Sequence, residues 1–156
     1  MKNLYLLRHA DAELLAQQDK DRQLSEAGHT EAEAVAKVFA EKAIVLDAIL
    51  CSSAIRTRQT CAHFLQLLNG KPAPQYLEEL YNTDLETYLE VLKGLDGSYN
   101  AVLLIGHNPV ITELASYLTG QPCHFSTGVL KYLELDVKSW AKVLSPCAKV
   151  VWSIPQ

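Results

Sequence analysis

The side chains best suited to chemistry follow short apolar runs. Leu4-Tyr5-Leu6-Leu7 leads into Arg8-His9, Leu46–Cys51 leads into Ser52 and then Arg56, and Ala101–Ile105 leads into Gly106-His107-Asn108-Pro109. An imidazole can act as nucleophile or proton carrier. A guanidinium fork matches phosphate oxygens in geometry as well as charge. If the three runs are strands of one open α/β sheet, ligands bind beyond their carboxyl ends. The guanidinium groups of Arg8 and Arg56 and the imidazoles of His9 and His107 would then surround one crevice. A helix starting near Pro109 adds a positive dipole end and free N–H groups. This describes a local anion site.

The elements that must position these groups are legible from periodicity. Leu4–Leu7 reads as a buried strand. Ser25 can cap a helix to about Lys42, with Ala32, Val35, Ala36 and Phe39 on its apolar face. Leu46–Cys51 reads as a second strand, followed by a helix from about Ala54 to Leu68 that Asn69-Gly70, Pro72 and Pro74 stop. Thr83 and Glu86 form a capping box ahead of an apolar face made by Leu85, Tyr88, Leu89 and Leu92. Leu95–Asn100 reads as a loop, and Ala101–Ile105 as the most apolar strand. Asn108 suits a cap and Pro109 the first helical position, with Ile111, Leu114, Ala115 and Leu118 facing inward. Val129–Val137 alternates weakly, and Val143–Ile154 holds strand-like pieces. Alternating strands and helices predict a layered α/β domain with helices on both faces.

The chain has 156 residues, near the mode for one domain, so residues 1–156 are expected to form a single domain. Area scaling gives roughly 7,800 Å² of folded surface against roughly 25,000 Å² unfolded, enough burial for a self-sufficient core. The apolar share of 49% and charged share of 21% are globular. The formal charge is −4, with no basic stripe or tail, which argues against a nucleic-acid binder. The positive charge of an anion site must therefore be local. The start, Met1-Lys2-Asn3, does not read as a signal peptide, and Ala101–Ile105 is far shorter than a membrane span. A cytoplasmic protein is the expectation. Cys51, Cys61, Cys123 and Cys147 are widely spaced and read as free thiols in a reducing compartment.

Leu7-Arg8-His9-Ala10 resembles the signature of the histidine phosphatase, or phosphoglycerate mutase-like, superfamily. Its alanine is similar to that of the short SixA-type phosphohistidine phosphatases. Four further segments resemble the family in order: Arg22–Gly28, Ser52–Thr60, Glu79-Leu80-Tyr81 and Gly106–Pro109. Gln23 and Ser53 stand where the family usually has proline. The resemblance implies a three-layer α/β/α sandwich with a mostly parallel central sheet. It makes His9 the nucleophile that becomes phosphorylated, and Arg8, Arg56 and His107 the holders of the phosphoryl oxygens, with Asn108 beside them. Glu79 is the match to the proton donor of larger relatives. No segment is long enough for the lid of the larger sugar-phosphate enzymes, which favours a phosphorylated side chain on another protein. The implied activity is removal of phosphate from a protein phosphohistidine, without metal or other cofactor and in a monomer. The alternatives are a phosphomonoesterase acting on small metabolites and a phosphate-recognition module with little turnover.

Plainer readings compete at several positions. Taken alone, His9 is a polar loop group and His107 a turn filler; Arg56 and Arg58 are solvated helix residues. Residues two apart on a helix point about 200° apart, so Arg56 and Arg58 do not share a pocket. Glu78 is as acidic as its neighbour Glu79. Asp19, Asp21 and Arg22 lie in a polar loop that could border the pocket but read as solvated rather than catalytic, and His29, His63 and His124 read as surface or helix residues. Tyr81 could line the pocket or sit in the core. Cys123-His124 lacks partners at zinc-site spacing. No Walker loop, dinucleotide glycine fingerprint or G-x-S-x-G elbow occurs.

Overall fold

The computed structural model describes residues 1–155. The strands are β1 (Lys2–Arg8), β2 (Ala48–Ser52), β3 (Gln75–Leu77), β4 (Ala101–Gly106), β5 (Leu130–Leu135) and β6 (Ala148–Ile154). The helices are α1 (Glu26–Glu41), α2 (Ile55–Leu67), α3 (Leu85–Lys93) and α4 (Val110–Thr119). One six-stranded sheet runs β3-β2-β4-β1-β5-β6. Its β3, β2, β4 and β1 are parallel, and β5 joins β1 antiparallel, as does β6 to β5. The fold is the expected three-layer α/β/α sandwich of the phosphoglycerate mutase-like type.

The apolar runs that looked continuous in sequence divide their side chains between two layers, as the period of two requires. Leu4, Leu6, Leu50, Val102 and Leu104 pack with Tyr88, Leu89 and Leu92 of α3 and Ile111 and Leu114 of α4. Tyr5, Leu7, Ile49, Leu103 and Ile105 pack with Val35 and Phe39 of α1 and Phe64 of α2. Every residue of β4 is buried, because parallel strands are covered on both faces. The accessible surface is 7681 Å², close to the value expected from mass. No described helix is long and apolar enough to cross a membrane.

Three local expectations change. Asp84, not Thr83, caps α3: its side chain accepts from Thr87 N–H at 3.0 Å. The carboxylate beats the hydroxyl one residue earlier because it also accepts from Thr87 Oγ1, at 2.8 Å. Asn108 does not cap α4. Pro109 occupies that position, and α4 starts at Val110. The short β3 follows two prolines and pairs with β2 at the sheet edge, where three residues leave no readable period.

Ser25 does cap α1, accepting from Gly28 N–H at 2.9 Å. Its hydroxyl also donates to Asp11 Oδ2 at 2.7 Å. A Cβ on Gly28 would lie 1.9 Å from the Asp11 carbonyl oxygen. The helix start is therefore seated directly on the backbone two residues after His9, an approach open only to glycine.

Candidate active site

The chain leaves the neighbouring strands β1 and β4 toward opposite faces, α1 lying on one and α4 on the other. This opens a crevice at their carboxyl ends. Arg8 is in register with Gly106, and His9 N–H donates to the Gly106 carbonyl at 3.2 Å. His9 and His107 thus sit side by side, with ring centroids 5.2 Å apart. Ser52 ends β2 on the other flank of β4, and Arg56 lies in the first turn of α2. His9, His107 and Arg56 are 8%, 8% and 6% exposed, so these three converge at one buried floor, with half-buried Arg8 as the fourth sequence-selected group beside them.

The hydrogen-bond network assigns both tautomers. His9 Nδ1 lies 2.8 Å from the Ala10 carbonyl oxygen, which only accepts. Nδ1 therefore carries the proton, and Nε2 carries the lone pair. Ser52 Oγ accepts from Ala54 N–H at 3.4 Å and lies 2.7 Å from His107 Nε2. Among the described residues the serine hydroxyl has no other acceptor, so its proton goes to Nε2, which puts the His107 ring proton on Nδ1. That Nδ1 is buried without a partner. Burial first, then the neighbouring Arg56 and Arg8, push His9 down to about 4. Burial and then His9 and Arg56 push His107 down to about 3. Both rings are neutral at neutral pH: one offers a nucleophilic nitrogen and the other a hydrogen-bond donor.

The guanidinium groups are fixed by one edge and open on another. Arg8 Nη1 donates to the Phe125 carbonyl at 3.0 Å. Arg56 Nη1 donates to the Asp19 carbonyl at 2.8 Å, and its Nη2 to Asp19 Oδ2 at 3.1 Å. Nε of Arg8 and Nε of Arg56 are buried with no partner. A buried donor left unpaired costs on the order of 1–3 kcal/mol. With His107 Nδ1, three such donors belong to three residues of one site. That arrangement is costly for folding and suited to a multi-acceptor anion.

Asp19 is the main member that sequence reasoning left outside. Its carboxylate accepts from Tyr81 Oη at 2.7 Å and Arg22 Nη1 at 3.1 Å, besides Arg56. The Tyr81 bond leads in pushing it down to about 2. Asp19 holds Arg56 in place as a standing anion. Tyr81 also packs edge-on against His107, with ring centroids 5.7 Å apart. Asp19 reaches Arg56 from a one-turn helix at Asp19–Asp21, for which the polar loop carries no periodic signal.

The other candidates fall as follows. Asn108 Nδ2 donates to the Phe125 carbonyl at 3.0 Å and its Oδ1 accepts from Thr112 at 2.7 Å. Its side chain thus braces the same carbonyl that holds Arg8. Glu79 is exposed on a single turn, Glu78–Leu80, and among the described residues it bonds to no site group. Glu78 pairs with Lys20. Arg58 points away, donating to the Ser53 carbonyl and lying over the Tyr76 ring. His29 and His63 bond to each other between α1 and α2. Tyr88 joins the site from below: its hydroxyl donates to the Leu80 carbonyl at 2.9 Å and accepts from His107 N–H at 3.3 Å. All four cysteines are free, and among the described residues no three metal-ligating side chains gather.

The chain resembles known proteins in sequence and in fold. The sequence profile of the Histidine phosphatase superfamily (branch 1) matches residues 4–90, more than half of the chain. The match takes in Arg8, His9, Arg56 and Glu79 and stops short of His107. An uncharacterized protein of Mycobacterium leprae is 32% identical over 103 residues, 65% of this chain and 61% of that protein. The chain thus aligns with about three fifths of the length of that relative. The SixA-type protein of Agrobacterium tumefaciens superposes with a TM-score of 0.85 at 31% identity, over 99% of this chain and 98% of its own. The protein histidine phosphatase SixA, in complex with tungstate, superposes with a TM-score of 0.84 at 25% identity, over 97% of this chain and 95% of its own.

Proposed function

Since this chain belongs to the histidine phosphatase superfamily, we propose that it removes the phosphoryl group from a histidine of another protein by way of a covalent phosphohistidine on His9. Family and fold support a hydrolytic phosphatase; the covalent step and the substrate are our reading. One observation carries it. A neutral His9, its Nδ1 tied to the Ala10 carbonyl, stands beside three unpartnered buried donors.

In this route Nε2 of His9 attacks phosphorus while the bond to the substrate nitrogen breaks in line. Arg8, Arg56 and His107 Nδ1–H take the equatorial oxygens as charge shifts onto them. Water then displaces phosphate from His9, restoring the ring. The charge is carried by these side chains, and no step is routed through a metal. Residues 1–156 act as one catalytic unit.

The leaving group favours a phosphohistidine. A phosphohistidine whose other ring nitrogen carries a proton releases neutral imidazole, the conjugate base of an acid of pKa about 6.5, so the proton is already on the leaving ring and a separate acid is little needed. An alcohol departs as a far stronger base and needs a positioned donor. Glu79, the family's match to that donor, is exposed and bonded to no site group among the described residues. The chain also spends only residues 68–74 between α2 and β3, too few for a long lid, which favours a protein-borne side chain as substrate.

The test is phosphate release from a phosphohistidine-bearing carrier domain by wild type and by His9→Ala, with an aryl phosphate as second substrate. Rapid release that His9→Ala abolishes is expected. Turnover kept by His9→Ala would overturn the covalent route. Aryl phosphate turnover without carrier turnover would move the substrate to small metabolites. Saturable carrier binding without release would make the chain a recognition module.

A further inference from the structure

Leu14 and Leu15 are 84% and 90% exposed, the highest values among the exposed large apolar side chains of the described residues. Scattered apolar residues on a surface are ordinary, but an adjacent pair on a fixed support is not. The support is fixed here. Ala12 bridges Leu24, Glu13 N–H donates to the Gln23 carbonyl at 2.8 Å, and Arg22 Nε donates to the Glu13 carbonyl at 2.7 Å. Leu24 N–H is held in turn by Gln59 of α2 at 2.7 Å. The segment leaves the site at His9, carries the leucines at its tip, and returns to the site at Asp19, which grips Arg56.

Distance ties the tip to the mouth. Four Cα-to-Cα steps lead from Leu15 to Asp19, a reach of at most about 14 Å. A protein partner of standard size covers about 800 Å² on each side, a disc of about 16 Å radius. Asp19 touches the Arg56 guanidinium, so a footprint about 32 Å across that takes in this guanidinium is wide enough to take in the leucines as well.

We propose that the Leu14-Leu15 tip is the docking lip for the protein that bears the phosphohistidine, inserting into an apolar recess beside that histidine. This rests on the protein-phosphohistidine reading above and adds how the protein substrate is told from a free one. The tip contributes to KM on a protein and nothing to the chemical step.

The experiment compares one chemical bond in two settings. The probes are a phosphotransfer domain phosphorylated on its single reactive histidine with phosphoramidate, and free phosphohistidine. Leu14→Ser with Leu15→Ser is expected to lower kcat/KM on the domain at least tenfold, through KM, and to leave free phosphohistidine within twofold. Leu14→Met with Leu15→Met is expected to keep the wild-type preference. Equal loss on both probes, or no loss on the domain, overturns the docking role while leaving the phosphatase reading intact. A wild type that ignores the domain but hydrolyses free phosphohistidine overturns both. Conversion of a dimer to a monomer by the serine pair, with domain turnover unchanged, assigns the tip to self-association and overturns it as well.

Discussion

Lowering the pH from 7 to 5 should leave His9 almost entirely in its nucleophilic form. Burial holds its pKa down to about 4, with Arg56, Arg8 and Arg22 pushing the same way. At pH 5 about nine tenths of such a ring is neutral. A histidine at the ordinary value of about 6.5 would be about 3% neutral, some thirtyfold less nucleophile. NMR titration of the ring carbons of the phosphate-free protein, each histidine assigned by substitution, reads this directly. The kinetic counterpart is the rate of His9 phosphorylation, corrected for ionisation of the substrate. His9 titrating between pH 6 and 7 would refute the burial argument. Stability follows with a definite sign. The folded values of His9 and His107 lie below the ordinary one, so the unfolded chain binds more protons. Their contribution is intact above about pH 6.5 and is lost as the pH falls toward about 4, by at most about 1.4 kcal/mol per pH unit for each ring. Urea unfolding at pH 7, 6 and 5 measures that slope.

Gly106→Ala places a Cβ 2.6 Å from Tyr88 Oη and 3.1 Å from its Cε2, and Tyr88 is fully buried. Overpacking and disturbed hydrogen bonds to Leu80 and His107 together should cost about 2–4 kcal/mol. That corresponds to a Tm lower by roughly 5–15 °C, with kcat/KM falling as His107 shifts; adding Tyr88→Phe should return part of the Tm, and a neutral Gly106→Ala would discredit the packing. Glu79→Gln should change phosphohistidine turnover by less than about threefold. A loss of a hundredfold or more, the scale of a working acid–base group, would show that Glu79 reaches the substrate.

The residues legible in the sequence are those whose position follows from backbone periodicity. Arg8, His9 and His107 stand directly after parallel strands, and such strands aim their carboxyl ends at one crevice. Helix geometry allows only one of Arg56 and Arg58 into the pocket, the resemblance of Ser52–Thr60 to the family motif picks Arg56, and Arg58 does lie over Tyr76 instead. What stayed hidden depends on contacts between segments with no period. Asp19 meets Arg56 across 37 positions of sequence, and the Phe125 carbonyl meets Arg8 across 117. Backbone carbonyls carry no side-chain signature at all. Asn108 shows the same limit at short range. Its side chain looked like a cap from its neighbours, but Phe125 and Thr112 claim it from outside the local window.

The cations of this site do two things that pull against each other. On the proposed route Arg8 and Arg56 attract a phosphoryl dianion to an acidic protein, and they also keep the proton off His9. In the free protein that second effect is useful, because a protonated ring has no lone pair to offer. It also makes the ring a weaker base, and a weaker nucleophile follows. Binding resolves part of the conflict. The dianion offsets the guanidinium charge, so the repulsion that the arginines impose on a positive His9 is relieved as the ring becomes positive through bond formation to phosphorus. Asp19 limits the conflict from the other side. Its carboxylate, ionised far below neutral pH, already balances one edge of Arg56. The same carboxylate holds the guanidinium in position, so charge balance and placement of Arg56 come from one contact.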